Sequence, residues 1–80
     1  MPVVNLPVRG QVNIPAENDL HMVTVNNPTA AQGSFTITIG ENDPPISENI
    51  GSGASIAKAA GPGEAVNVTN TGQTGLTVEY

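Results

Sequence analysis

The sequence predicts a small all-β domain, an antiparallel β-sandwich or barrel of about six to seven short strands. Three observations carry that prediction. Several segments alternate apolar and polar residues with period two, the pattern of a strand with one buried face. These segments recur between turn signals at the roughly 8–12-residue spacing typical of sandwiches and barrels. Nine Gly, seven Pro and nine Asn cut the 80 residues into pieces too short for long helices.

Each element has its own reason. Residues 1–9 are apolar and proline-punctuated, which suits either an edge strand or an extended arm reaching a neighbour. Residues 11–14 put Val12 and Ile14 on one face. In 20–25, His21, Val23 and Val25 share one face, and Leu20, Met22 and Thr24 share the other. Residues 34–39 alternate most clearly, with Phe35, Ile37 and Ile39 against Ser34, Thr36 and Thr38. Residues 65–69 offer Val66 and Val68, and 76–80 offer Leu76, Val78 and Tyr80. The expected core is Phe35, Ile37, Ile39, Val66, Val68 and Val78. Residues 54–60 are alanine-rich, and Ser52 or Ser55 is placed to cap a helical turn. Seven residues are few for a helix, so they read as a strand or irregular crossing, with one helical turn as the alternative. Asn26-Asn27-Pro28 and Asp43-Pro44-Pro45 stop strands, because proline removes a ladder donor and restricts the residue before it. Gly61-Pro62-Gly63 and Asn70-Thr71-Gly72 bracket the Val66 strand as turns.

Residues 1–80 make a single domain with a thin, aliphatic core, since Phe35 and Tyr80 are the only aromatic residues. There is no cysteine and one histidine, which removes disulfides and any Cys- or His-built zinc site as staples. Small domains without staples often lean on a partner surface. Only Arg9 and Lys58 are basic against seven carboxylates. Two cations are too few to displace phosphate counterions or to grip an anionic membrane, so neither nucleic acid nor membrane is expected as a partner. No apolar run has the length of a signal-peptide core or a membrane span.

No motif carries catalysis, and the chain is expected not to be an enzyme. His21 is the only imidazole, and no serine sits in a Gly-x-Ser-x-Gly elbow. Residues 51–56 lack the third glycine of a dinucleotide loop, and Lys58 has neither neighbour of a Walker lysine. Glu-Asn-Asp occurs twice, at 17–19 and 41–43, each time just past an expected strand. Turn chemistry accounts for it, since Asn and Asp bond their own backbone in turns. Glu17, Asp19, Glu41 and Asp43 are the one calcium alternative, should the two loops meet, although neither has EF-hand spacing. No cofactor is expected. Val3, Val4, Leu6 and Val8 are the candidate partner-binding residues, through backbone pairing and aliphatic burial.

The stretch Pro62-Gly63-Glu64-Ala65-Val66-Asn67-Val68-Thr69-Asn70-Thr71-Gly72 resembles the Pro-Gly turn, alternating strand and Asn-Thr-Gly turn of bacterial and viral immunoglobulin-like sandwiches. The immunoglobulin cysteine pair and core tryptophan are absent. The overall profile is short, acidic, cysteine-free, rich in Gly, Thr, Asn and Ala, and begins Met-Pro. It resembles the small all-β head-decoration (cement) proteins of tailed bacteriophages. That resemblance implies a virion protein made in the host cytoplasm, binding itself as a trimer or other homo-oligomer, or the major capsid protein lattice, or both. The competing expectation is a fibre- or adhesin-like module that recognises glycan or protein, with or without calcium.

Overall fold

The computed structural model describes residues 2–40 and 44–80. Its strands are β1 (Val3–Leu6), β2 (Gln11–Ile14), β3 (His21–Asn26), β4 (Gly33–Ile39), β5 (Ile46–Ile50), β6 (Ser55–Ala60), β7 (Val66–Asn70) and β8 (Leu76–Glu79). They form two four-stranded antiparallel sheets, ordered β1-β8-β3-β6 and β2-β7-β4-β5. The two sheets close on one aliphatic core, so the molecule is a small immunoglobulin-like β-sandwich, where the alternation predicts a sandwich or a barrel.

The strand beyond the expected six or seven is β5. It follows two prolines, and its Ile46 and Ile50 are separated by Ser47, Glu48 and Asn49, which leaves no period-two signal. Residues 55–60 form a strand and no helical turn: pairing along the whole of β3 overrides the helix preference of alanine. The N-terminal segment supplies β1, an edge strand paired with β8.

The core comprises Leu6, Ile14, Val23, Val25, Phe35, Ile37, Ile50, Ala60, Val66, Val68, Leu76 and Val78. Ile39 is partly buried and packs against it. Alternation puts one residue in two from each strand into this layer, each large aliphatic contributing about 1.5–3 kcal/mol.

The pairings map onto themselves when β1–β4 are exchanged for β5–β8. β1·β8 becomes β5·β4, β2·β7 becomes β6·β3, and β3·β8 becomes β7·β4. The register follows at the edges: Leu6 opposite Leu76 corresponds to Ile50 opposite Gly33, and Gln11 opposite Thr69 corresponds to Ser55 opposite Asn26. Only the central pairing slips, by two residues, since Thr24 faces Glu79 while Asn67 faces Thr38. A slip of two keeps each side chain on its own face. The sandwich is therefore two four-strand units related by a pseudo-twofold axis.

The same local device closes both units. Asn27 and Asn70 are the buried polar residues of the interior, each just past or at the end of a strand. Asn70 Nδ2 donates to Leu6 O (3.0 Å) and Thr74 O (2.8 Å), and Gly72 N donates to Asn70 Oδ1 (3.0 Å). Asn27 Nδ2 donates to Ile50 O (3.1 Å) and Ala31 O (2.7 Å), and Thr29 N donates to Asn27 Oδ1 (3.0 Å). An amide side chain satisfies one N–H and two carbonyls at once, which ties each loop to the neighbouring edge strand.

Equivalent positions differ where the two units crowd together. Leu76 corresponds to Gly33, and a Cβ on Gly33 would lie 3.1 Å from Leu76 Cδ2 and 2.9 Å from Thr74 Oγ1. One unit supplies the side chain and the other the space for it.

Edge protection differs between the two sides of the sandwich. On β6 and β5, Lys58 Nζ meets Glu48 Oε2 at 2.8 Å, both half-buried on the inner face. An inward-pointing charge on an edge strand discourages pairing with another chain. The corresponding residues on β2 and β1 are Ile14 and Val4, so that side is aliphatic.

Candidate interaction surfaces

No catalytic constellation forms among the described residues. His21 starts β3, with Nδ1 3.7 Å from Glu17 Oε2. Its Nε2 is buried without a hydrogen-bond partner, and no hydroxyl hydrogen-bonds to the ring among the described residues. No group of three or more His, Asp or Glu side chains is placed to hold a metal among the described residues. Glu17 and Asp19 lie in the β2–β3 loop, whereas Glu41 and Asp43 lie outside the described residues.

The four N-terminal aliphatics divide. Leu6 is a core residue and Val4 is half-buried on the inner face of β1. Val3 and Val8 are exposed, Val3 on the outer face and Val8 at the β1–β2 turn. An outside partner would reach those two without unfolding the strand.

The two outer faces are chemically unlike. On the first sheet the outward positions are Val3 and Asn5 of β1, Met22, Thr24 and Asn26 of β3, Ser55, Ala57 and Ala59 of β6, and Thr77 and Glu79 of β8, a mixture of apolar side chains, amides, hydroxyls and one carboxylate. On the second sheet the outward positions are Gln11 and Asn13 of β2, Asn67 and Thr69 of β7, Ser34, Thr36 and Thr38 of β4, and Ser47 and Asn49 of β5. All are amides or hydroxyls, and none is charged. Cross-strand pairs bond to one another: Thr36 Oγ1 and Ser47 Oγ lie 3.0 Å apart, and Asn67 Nδ2 donates to Asn13 Oδ1. The alternation in 34–39 and 65–69 makes these positions readable as outward in the sequence. Their shared lack of charge shows only when the sheet order sets the four strands side by side.

The two ends are also unlike. Antiparallel pairing gathers the loops 7–10, 27–32, 51–54 and 71–75 at one end, where they bond to one another through Arg9 N to Asn70 O (3.1 Å) and Gly53 N to Asn27 O (2.9 Å). These loops hold Arg9 and no carboxylate. At the other end Gly63 N donates to Glu17 O (2.8 Å), which brings together the loops that carry Glu17, Asp19 and Glu64. Beside Glu17 a small cavity of about 190 Å³ is lined by Pro2, Ile14, Pro15 and Tyr80. A larger apolar groove of about 370 Å³ runs past Pro15 between β2, β7 and the end of β4.

No protein-family model matches this chain, and no curated protein matches it.

Proposed function

We propose that this chain is a non-enzymatic structural module that works covered, either associating with copies of itself or docking on a larger lattice. The observation that carries the reading is the outer face of the second sheet. A face meant for water is usually held in solution by Lys, Glu and Arg, and stripping water from such charges costs several kcal/mol each. Nine outward Ser, Thr, Asn and Gln side chains can be desolvated without burying a charge. They can also exchange water for direct or water-bridged hydrogen bonds with a partner. The cement-protein resemblance supplies the kind of assembly: a bacteriophage capsid surface, with the major capsid protein or neighbouring copies as partners.

The test is sedimentation of an epitope-tagged chain from the cells that produce it. The reading expects the chain to travel with large particles. A chain that stays wholly among small soluble proteins, with a monomeric native mass at every concentration, overturns it.

A further inference from the structure

We infer that copies of this chain associate head to tail, with the β1–β2 tip of one seated in the cavity beside Glu17 of the next. The inference rests on the self-association arm of the proposed function.

The tip is the first observation. Arg9 has φ 66°, the left-handed region, and it is the only non-glycine residue with positive φ among those described. Such a conformation suits glycine and is uncommon for a long side chain. The pseudo-twofold axis supplies an internal control, because Arg9 corresponds to Gly53, at φ 71°. Both turns have the same framework: Gly10 N donates to Pro7 O at 2.7 Å, and Ala54 N donates to Gly51 O at 3.0 Å. One copy of the turn reads Gly51-Ser52-Gly53, nearly bare and unstrained. The other reads Pro7-Val8-Arg9, with Val8 43% exposed and an arginine where the backbone favours glycine. Both side chains are exposed, and Arg9 makes no side-chain hydrogen bond among the described residues. A strained residue with no structural role points to a contact role.

The cavity is the second observation. Arg9 makes no ion pair among the described residues, whereas Lys58, the only other basic side chain, is held by Glu48. The tip therefore presents one aliphatic group and one unpaired guanidinium, at an end without carboxylates. The opposite end carries the complement. Pro2, Ile14, Pro15 and Tyr80 form an apolar cavity rimmed by Glu17, whose side chain is 56% exposed and, among the described residues, has only His21 Nδ1 within ion-pair distance, at 3.7 Å. Val8 suits the cavity and Arg9 suits Glu17. Tip and cavity lie at opposite ends, so the contact cannot be satisfied within one copy. Stacked end to end it repeats, giving a ring or a filament. A single buried valine with an exposed ion pair is a weak contact, so association is read at high protein concentration.

The absence of cysteine allows a direct test. Val8→Cys and Pro15→Cys variants are prepared separately, one with a mass tag, then mixed under mild oxidant. The inference expects the mixed disulfide to form faster than either homodimer. A statistical mixture of the three overturns it. A second arm reads native mass at high protein concentration. Arg9→Glu is expected to lower the mass to that of a monomer, and adding Glu17→Arg is expected to restore it. If the wild type associates and Arg9→Glu changes nothing, the head-to-tail contact is wrong and self-association through another surface stands. If the wild type is monomeric throughout yet sediments with particles, the head-to-tail contact is wrong and lattice docking stands.

Discussion

Replacing Asn70 by Ala removes the side chain that holds the end of β7, the loop after it and the last residue of β1. Three hydrogen bonds go: two donated to Leu6 O and Thr74 O, and one accepted from Gly72 N. At about 1 kcal/mol net per bond, the loss is about 3 kcal/mol. Asn70 is buried, so water does not simply replace the amide, and the orphaned Leu6 carbonyl raises the figure rather than lowering it. A domain of this size has a total stability of roughly 4–12 kcal/mol. The variant should therefore lose a quarter or more of its stability, and its midpoint should fall by roughly 12–24 °C. Urea unfolding followed by fluorescence-independent circular dichroism measures the free energy, since the chain has no Trp. Asn27→Ala should cost about the same, within ~1 kcal/mol, because it makes the equivalent bonds around Ile50 and Ala31. Asn49→Ala, on the outer face of β5, should stay within about 0.5 kcal/mol of wild type. A cost below about 1 kcal/mol for Asn70→Ala would refute the argument that these two amides tie the loops to the sandwich.

Gly33→Ala should destabilise by about 1–3 kcal/mol through its clash with Leu76 and Thr74, and Leu76→Ala should cost about 2–5 kcal/mol. The double variant should cost less than the sum, and strict additivity in a double-mutant cycle would argue that the two do not share one space. Arg9→Gly should leave the protein as stable or raise it by up to about 1 kcal/mol, as thermal denaturation reads, because glycine suits φ 66°. Replacing Lys58 and Glu48 together by Val should leave the melting midpoint unchanged or higher, since a half-exposed ion pair is worth ~0–1 kcal/mol. The same change should increase light scattering on storage, because edges β5 and β6 lose their guard; a variant that stays clear at high concentration would contradict that role.

The fold class was legible because alternation reports a buried face directly: Phe35 and Ile37, Val66 and Val68, and Val23 and Val25 all point inward as their spacing requires. β5 was not legible, because its outward Ser47 and Asn49 flank Glu48, whose inward carboxylate is tolerated only by Lys58 on another strand. The internal repeat was hidden for a related reason. The repeated Glu-Asn-Asp is not its signature. The true correspondence, Val23–Val25–Asn27 with Val66–Val68–Asn70, is built from residues any strand and turn would use. Of the candidate partner residues, Val3 and Val8 lie outside and Leu6 lies in the core, which alternation within Val3–Leu6 could have separated. Arg9 carried no sequence signal, since its backbone conformation and its match with Gly53 exist only in three dimensions.

The proposed function makes the uncharged face of the second sheet a covered face. Thr36 and Thr69 are directly opposite one another near the middle of that face, and both point outward. Changing both to Lys leaves the core untouched, so the purified variant should melt within a few degrees of wild type. In a covered interface it would bury unpaired charge at a cost of several kcal/mol. Sedimentation of the tagged double variant beside tagged wild type is the direct measurement. Wild type is expected in the particle fractions and the variant among free proteins. A variant that sediments with the particles as fully as wild type would contradict it.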